Sequence, residues 1–230
     1  INFLIFFINT PSISDEVIFE TEEINITEGG QITKARNGKV NFVEENFEVN
    51  GDTFVYDKKT KKLIVTNAKS VMNNDNIIIK AREIIYNQNT FEIVAKNNVE
   101  LKDLLNKSTI SSEELIYNLK SKKIISNTPS KFRDNYNNSL FTRNFSYDLN
   151  NNIAKIDSLK IVDSLRNEYS LRKSYYNTKS KKLVGKDVFV DLGNASSQEN
   201  NFRIRIAGKE YDLLSREEKL VALGALNELV

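Results

Sequence analysis

The chain has 230 residues, of which 40% are hydrophobic and 28% charged, and its 33 basic and 31 acidic side chains leave a net charge of +2. This balance provides no overall attraction for nucleic acid, so we expect no nucleic-acid partner. The chain has no Cys and no His. It therefore lacks thiol chemistry, Cys/His zinc ligation, a disulfide framework and a histidine general base. We expect no catalytic residue, no metal site and no cofactor.

The first segment, residues 1–14, contains an apolar run at 3–8 followed by Ser12 and Ser14. The run is too short to span a bilayer, and it resembles the hydrophobic region of a secretory signal. The density of charged residues rises directly after Ser14. We interpret 1–14 as the remnant of a signal peptide, with an ordinary buried first strand as the alternative.

Strand-like segments fill residues 15–50. They alternate apolar and polar residues, and a Gly29-Gly30 turn separates them; they lie at 17–20, 23–26, 40–43 and 47–49. We interpret this region as a degenerate first unit of a repeat, because terminal units are commonly atypical. Carboxylates cluster here at Glu20, Glu22, Glu23, Glu44, Glu45 and Glu48. We interpret them as solvated strand faces and turns rather than as an acid/base pair.

Five segments then follow one pattern. An apolar strand ends in Tyr followed by Asp or Asn, a polar turn comes next, and a second apolar strand follows. The anchors are Tyr56, Tyr86, Tyr117, Tyr147 and Tyr176, separated by 29 to 31 residues. So steady a period indicates a repeat architecture. Asp and Asn suit the position after Tyr because their side chains bond nearby backbone groups in turns.

Each copy predicts about two strands that are apolar on one face. Strand alternation places each Tyr on the same face as the residue two positions before it. The residue seven positions before Tyr is also apolar, and the odd spacing between these two positions predicts a bulge or bend. Stacked copies would bury these faces together. Besides the tyrosines, the predicted inward set is Phe54, Leu63, Ile79, Ile84, Ile93, Ile110, Leu115, Ile124, Leu140, Phe145 and Leu183.

The sequence thus predicts an all-β, antiparallel domain over 15–206, ending in a strand at 202–206. The tail, 207–230, departs from the pattern: Ser215 begins a capping box, which predicts a short helix of unknown role. The tyrosine ladder is interpreted as core or groove lining rather than a nucleic-acid stacking platform.

Lysines recur in the first, third and fifth turns, at Lys58, Lys61, Lys122 and Lys181 among others. If the copies stack in register, these turns form a broken basic stripe along one rim. Such a stripe suits contact with phosphorylated head groups. The alternative is a charged guard against aggregation.

The repeat is most explicit at 77–87, Ile-Ile-Ile-Lys-Ala-Arg-Glu-Ile-Ile-Tyr-Asn. Over about 15–194 it resembles the OstA-like repeat of the lipopolysaccharide-transport family, which includes the periplasmic bridge protein LptA and the periplasmic part of the outer-membrane assembly protein LptD. The resemblance implies an open, V-shaped β-jellyroll whose cleft holds acyl chains and whose end strands pair with neighbouring jellyrolls. The inward set above would then line that cleft.

The resemblance also implies where the chain acts and with what. Its partners would be lipopolysaccharide and other jellyroll proteins of the family, in the periplasm and in association with the outer membrane. An outer-membrane barrel or lipoprotein would be a further partner if the chain is LptD-like.

Two departures from the family pattern leave alternatives open. The outer-membrane barrel and the cysteines common in LptD are absent from this sequence. The chain is then a fragment of an LptD-like protein, which the number of units favours, a separate LptA-like protein, or a cysteine-free variant. The competing interpretation is a β-solenoid surface-structural or adhesin-like protein with a packed interior. A carbohydrate-active solenoid enzyme would need a recurring carboxylate cluster, and none recurs.

Overall fold

The structure is a computed structural model that describes residues 17–68, 70–73, 76–133, 139–162, 168–180, 182–186, 188–191, 203–206 and 211–212. All regular elements in these ranges are β-strands, apart from a 3-10 turn at Glu28–Gly30. The interpreted signal remnant at 1–14 and the helix expected after Ser215 lie outside the described residues. Among the residues that are described, no helix has the length and apolar character needed to cross a membrane.

The strands pair antiparallel in one continuous sheet, which confirms the predicted fold class. In chain order they are β1 Val17–Thr27, β2 Ile32–Phe42, β3 Phe47–Asp57, β4 Lys62–Thr66, β5 Ser70–Asn73, β6 Ile77–Lys80, β7 Glu83–Asn87, β8 Glu92–Asp103, β9 Ser108–Asn118, β10 Lys123–Ser126, β11 Ser130–Arg133, β12 Ser139–Thr142, β13 Asn144–Asp148, β14 Ile153–Val162, β15 Glu168–Asn177, β16 Leu183–Lys186, β17 Val188–Asp191, β18 Arg203–Ile206 and β19 Tyr211–Asp212.

A line of corners divides the sheet into two half-sheets. The long strand β3 shows the division: residues 53–57 pair with β4, whereas 47–50 pair with β5. We call the half that carries the repeated tyrosines the tyrosine half-sheet; it contains β4, β7, β10, β13 and β16. The other half, the opposite half-sheet, contains β5, β6, β11, β12 and β17. Long strands cross the corner and belong to both.

The copies alternate between two ways of crossing the corner. The strands β8, β9, β14 and β15 run through it, whereas β4–β7 and β10–β13 are short strands interrupted there. Two consecutive short strands pair with one long strand, as β4 and β5 both pair with β3. Each copy therefore still contains the equivalent of two long strands that bend at the corner. The corner falls between the two inward positions whose odd spacing predicts a bend, for example between Ile110 and Leu115. In β8 it coincides with a register shift between Lys96 and Val99.

Asparagine residues provide the backbone conformation at several corners. Asn37, Asn67, Asn97 and Asn98 have φ values of 50°, 52°, 63° and 59°. Asn adopts this left-handed region more readily than most residues because its short polar side chain bonds the local backbone. These residues let the strands turn from one half-sheet into the other.

The inner faces of the half-sheets pack directly against each other. The Tyr86 ring lies 4.8 Å, centroid to centroid, from both Phe42 and Phe47 of the opposite half-sheet. Phe132 and Phe145 make a similar contact across the interior at 4.6 Å. Tilted and edge-on aromatic pairs at these separations are favourable beyond the area they bury. The wedge between the half-sheets is therefore filled by side chains.

The corner in β3 depends on Gly51, which faces the interior. An ideal Cβ added there would lie 2.3 Å from Val65 Cγ1, and Val65 is fully buried. Such a separation is well inside van der Waals contact. Close packing at this corner therefore requires a residue without a side chain.

We expect Gly51→Ala to lower the free energy of unfolding by about 1–3 kcal/mol, because the added methyl group overpacks the corner. Urea denaturation measures the change. Val65→Ala removes the opposing methyl groups, so the double variant should lose less stability than the sum of the two single variants. Strictly additive losses would contradict this account of the corner.

Candidate functional site

The predicted inward residues come together in rows that cross the strands. Every member of the set is buried except Tyr176, which is partly buried. In the tyrosine half-sheet the register joins the tyrosines and aliphatic residues into one row. Starting at β1, its members are Ile26, Thr33, Tyr56, Leu63, Tyr86, Ile93, Tyr117, Ile124, Tyr147, Ala154, Tyr176 and Leu183.

A second row runs beside the first, two residues nearer the corner. Its members are Ile24, Ala35, Phe54, Val65, Ile84, Ala95, Leu115, Ser126, Phe145, Ile156 and Ser174. Residues Ile79, Ile110 and Leu140 face these rows from the opposite half-sheet. The rows run perpendicular to the strands, and neighbouring strands lie about 4.8 Å apart. The interior is thus a nearly continuous apolar track along the length of the molecule.

The track is uncovered at β1. Ile24 and Ile26 pair with the buried residues Ala35 and Thr33 and share their inner face, yet they are 54% and 59% exposed. Within the described residues β1 pairs with β2 alone. Exposed inward isoleucines on such a strand show that the apolar interior continues to the end of the described fold.

A cluster of hydroxyl groups lies at the corner between β9 and β11, and the sequence analysis did not identify it. Ser112 Oγ lies 3.0 Å from Ser126 Oγ, 2.9 Å from Thr128 Oγ1 and 2.9 Å from Ser130 Oγ. Ser126 is the polar residue of this cluster that interrupts the apolar second row, and the hydrogen bonds within the cluster satisfy its hydroxyl group. Ser174 Oγ, farther along that row, is buried without a hydrogen-bond partner.

The turns of the tyrosine half-sheet stack in register along one rim of the wedge. In each turn the first backbone N–H donates to the carbonyl group that ends the previous turn: Gln88 to Lys61 at 3.0 Å, Leu119 to Phe91 at 2.8 Å and Leu149 to Lys122 at 3.0 Å. The Asp or Asn after each Tyr accepts from backbone N–H groups of its own turn, as Asn118 does from Ser121 at 2.8 Å. These bonds confirm the prediction that the Asp or Asn after each Tyr bonds the backbone of its turn.

This rim carries three of the predicted head-group lysines. Lys58 is exposed, whereas Lys61 and Lys122 are partly buried and have φ values of 51° and 56°. Lys181 lies outside the described residues. Lys120 joins the same rim, with its ammonium group 5.6 Å from the centre of the Phe91 ring. The basic stripe is broken, since turns rich in Asn, Gln and Thr separate the lysine-bearing ones.

Tyrosine hydroxyl groups reach across the open side of the wedge, which we call the mouth. Tyr86 Oη donates to Glu45 Oε1 at 3.1 Å, and Tyr147 Oη donates to Asp103 Oδ2 at 3.1 Å. Both acceptors belong to the opposite half-sheet: Glu45 lies in the turn between β2 and β3, and Asp103 is the last residue of β8. Burial raises the pKa of Tyr147 above its usual range, so its hydroxyl group stays protonated and able to donate. Glu45 is therefore not merely a solvated carboxylate, as predicted for its cluster, because it accepts hydrogen bonds across the mouth from Tyr86 and Gln88.

The described part of the chain contains no group of His, Cys, Asp or Glu residues that could hold a metal ion. Its inner surface offers apolar contact and a few tyrosine hydroxyl groups. An apolar molecule would contact this surface only by displacing the side chains that fill the wedge. Sequence reasoning assigned Glu45 to the solvated carboxylates, and it missed Asp103 and the corner hydroxyl groups.

No protein-family model matches the chain, and no curated protein matches it. Among solved structures, it is similar to the crystal structure of LptH from Pseudomonas aeruginosa, described as the LptA homologous periplasmic component of the conserved lipopolysaccharide transport device. The similarity has a TM-score of 0.44 at 11% sequence identity, and it covers 59% of this chain and 99% of that chain. A similarity at this level does not identify the function of the chain.

The turn at Asp57 generates a prediction about acid stability. Its carboxylate accepts hydrogen bonds from the Thr60 hydroxyl group at 2.8 Å, from Gln31 Nε2 at 3.1 Å and from the Lys59 N–H at 2.8 Å. These bonds, the Thr60 hydroxyl first, lower the pKa of Asp57 in the folded state. A lowered folded pKa stabilises the fold above the unfolded pKa of about 3.9. That stabilisation is lost as the pH falls through the folded pKa.

Asp57→Asn keeps an oxygen acceptor in the turn but removes the titrating group. We therefore expect the wild-type melting temperature to fall more steeply than that of the variant between about pH 5 and about pH 2. Thermal unfolding monitored by circular dichroism measures both curves. Parallel curves over this range would show that the Asp57 carboxylate makes no such contribution.

Proposed function

We propose that this chain acts in periplasmic lipopolysaccharide transport and assembly, and that it carries acyl chains along the apolar track between its half-sheets. The observation that carries the proposal is the track itself. It runs across the strands from the uncovered isoleucines Ile24 and Ile26 to Leu183. A twelve-carbon acyl chain exposed to water costs roughly 10 kcal/mol, at about 0.8 kcal/mol per CH₂ group. A continuous apolar interior removes most of that penalty without any catalytic residue.

The basic rim supports an amphiphilic cargo. Lys58, Lys61 and Lys122 lie on turns at the mouth, beside the row of inward tyrosines. A lipid whose acyl chains enter the wedge would keep its phosphorylated head group at these turns. We choose lipopolysaccharide as the cargo because the repeats resemble those of the OstA-like family. The same resemblance is the reason to place the chain in the periplasm, in association with the outer membrane.

We further propose that β1 is a docking edge for another jellyroll protein of the same kind. Its outer edge is unpaired within the described residues, and such an edge accepts a strand through backbone hydrogen bonds. Docking there would cover Ile24 and Ile26 and extend the track into the partner. Strand β18, at Arg203–Ile206, is the candidate for the other end. If the chain is LptD-like, we propose that it also binds an outer-membrane barrel or lipoprotein.

A second candidate, a surface-structural or adhesin-like repeat protein, is favoured by a different observation. The inward residues are buried and their rings touch across the interior, as Tyr86 does with Phe47. A permanently packed interior needs no cargo. The two candidates differ in whether the half-sheets separate enough to admit an acyl chain.

Photo-crosslinking distinguishes the two candidates. A benzophenone amino acid at the buried residue Phe145 should capture lipopolysaccharide added to the purified chain, because this side chain lies in the track. Phe141, four residues earlier and 38% exposed on the outer face, is the matched control and should capture little. The turn residue Lys122 should likewise give little acyl-chain product. Equal capture at Phe145 and Phe141, or none at either position, favours the packed structural repeat.

The docking edge is tested on Ile24 and Ile26. Replacing both by Asp should weaken association with a second jellyroll, or with another copy of the chain, roughly tenfold for each residue, since about half of each side chain remains to be buried. Asn25→Asp, on the other face of β1, is the control for each isoleucine replaced singly, because each of these three substitutions adds one negative charge. Sedimentation velocity measures the association. If the isoleucine and control variants behave alike, β1 is not the docking edge.

A further inference from the structure

Two hydrogen-bonded clusters connect the half-sheets at the mouth. In the first, Tyr86 Oη and Gln88 Nε2 both donate to Glu45 Oε1, at 3.1 and 3.3 Å, and Tyr56 Oη donates to Gln88 Oε1 at 2.7 Å. Both tyrosines and Gln88 belong to the tyrosine half-sheet and its turns. Glu45 lies on the turn between β2 and β3, which belongs to the opposite half-sheet. One carboxylate therefore holds two donors from the facing half-sheet.

The second cluster lies farther along the mouth and is more deeply buried. Tyr147 Oη donates to Asp103 Oδ2 at 3.1 Å, accepts from Asn106 Nδ2 at 3.2 Å and lies 2.9 Å from Thr178 Oγ1. Asp103 and Asn106 belong to the opposite half-sheet, and Asp103 is 2% exposed. Hydrogen bonds to a carboxylate are stronger than those between neutral groups. This cluster is thus a second attachment of one rim to the other.

The clusters lie where the half-sheets can separate. The corner side of the wedge is closed by strands that run through it, such as β8 and β9, together with their backbone hydrogen bonds. At the mouth, side chains make the hydrogen bonds that connect the two rims. Separating the rims would break these side-chain bonds and the ring contacts beneath them. It would leave the strand pairing intact.

We propose that the two tyrosine–carboxylate clusters are latches that hold the mouth closed and set how often it opens. The inference rests on the proposed function only for its biological role, which is the admission of acyl chains from the side. The latches are reversible by their chemistry, because water can solvate both the freed hydroxyl groups and the freed carboxylates. Each latch connects a repeated tyrosine to an acceptor more than 40 residues away in the chain.

The test measures the distance between the rims in the full chain without lipid. Nitroxide labels are attached to cysteines introduced at Leu105, which is 71% exposed, and at Asn150 on the facing rim. Labelling is confined to these positions because the chain has no other Cys. Electron–electron resonance then gives the distribution of distances. Tyr147→Phe should raise the population at longer distance about tenfold, as expected for loss of one hydrogen bond to a charged group.

Two further variants complete the test. Asp103→Asn keeps an oxygen that can accept from the Asn106 N–H, but it removes the charge that Tyr147 binds, so it should open the mouth in the same direction. Tyr175→Phe removes the same atom from a tyrosine that is 50% exposed on the outer face, and it should leave the distances unchanged.

The latch proposal is overturned if Tyr147→Phe and Asp103→Asn both keep the wild-type distances and alter only the melting temperature. Their hydroxyl and carboxylate groups would then serve packing alone. This outcome is separable from the proposed function, which depends on lipid capture at Phe145. A mouth that opens in the variants without lipid capture would support the latches and contradict the transport role.

Discussion

The structure depends on a backbone constraint: one antiparallel sheet, continuous through its hydrogen bonds, folds over along a line of corners. Because β3, β8, β9, β14 and β15 each belong to both half-sheets, the halves cannot slide or dissociate without breaking strand pairing. A buried backbone group without a partner is costly, so that side of the wedge stays closed. The freedom that remains is at the mouth, where side chains alone connect the rims in the contacts we describe.

This constraint determines which contacts the proposed acyl-chain cargo would have to displace. An acyl chain that enters the wedge displaces ring contacts such as those of Tyr86 with Phe42 and Phe47, and it replaces them with its own apolar contacts. Apolar area is therefore exchanged rather than newly exposed. When the rims separate, the tyrosine hydroxyl groups at the mouth would donate hydrogen bonds to water instead of to a carboxylate. Neither exchange requires the repeats to unfold, so a packed resting state is compatible with a transport role.

Much of the fold could be predicted because it repeats. The period of the tyrosines placed the inward rows, the Asp or Asn after each Tyr placed the turns, and the odd spacing before Leu115 placed the corner. The basic rim followed from the register of the turns, as the bonds from Leu149 to Lys122 and from Gln88 to Lys61 show.

Other features have no signal in the local sequence. No local signal marks whether a strand crosses its corner intact, since left-handed Asn residues occur inside the continuous strand β8, at Asn97 and Asn98, and also between the short strands β4 and β5, at Asn67. The partners of the tyrosine hydroxyl groups, Glu45 and Asp103, lie 41 and 44 residues away in the chain, so no periodicity reveals them. A row of apolar inward residues in the sequence also does not indicate whether their side chains pack against each other or line a cavity. That distinction depends on the separation of the half-sheets, and it decides between the two candidate functions.

The central claim is that the interior becomes accessible while the sheet remains paired, and a cysteine in place of Leu115 tests it directly. Leu115 is buried at the centre of the second row, and its strand pairs on both sides. The account predicts that a dodecyl thiol-reactive reagent modifies this cysteine faster than the backbone amides of β9 exchange with deuterium, both measured on the same sample by mass spectrometry. If the cysteine is modified no faster than those amides exchange, the interior becomes accessible only when the sheet unfolds. That result would contradict the account.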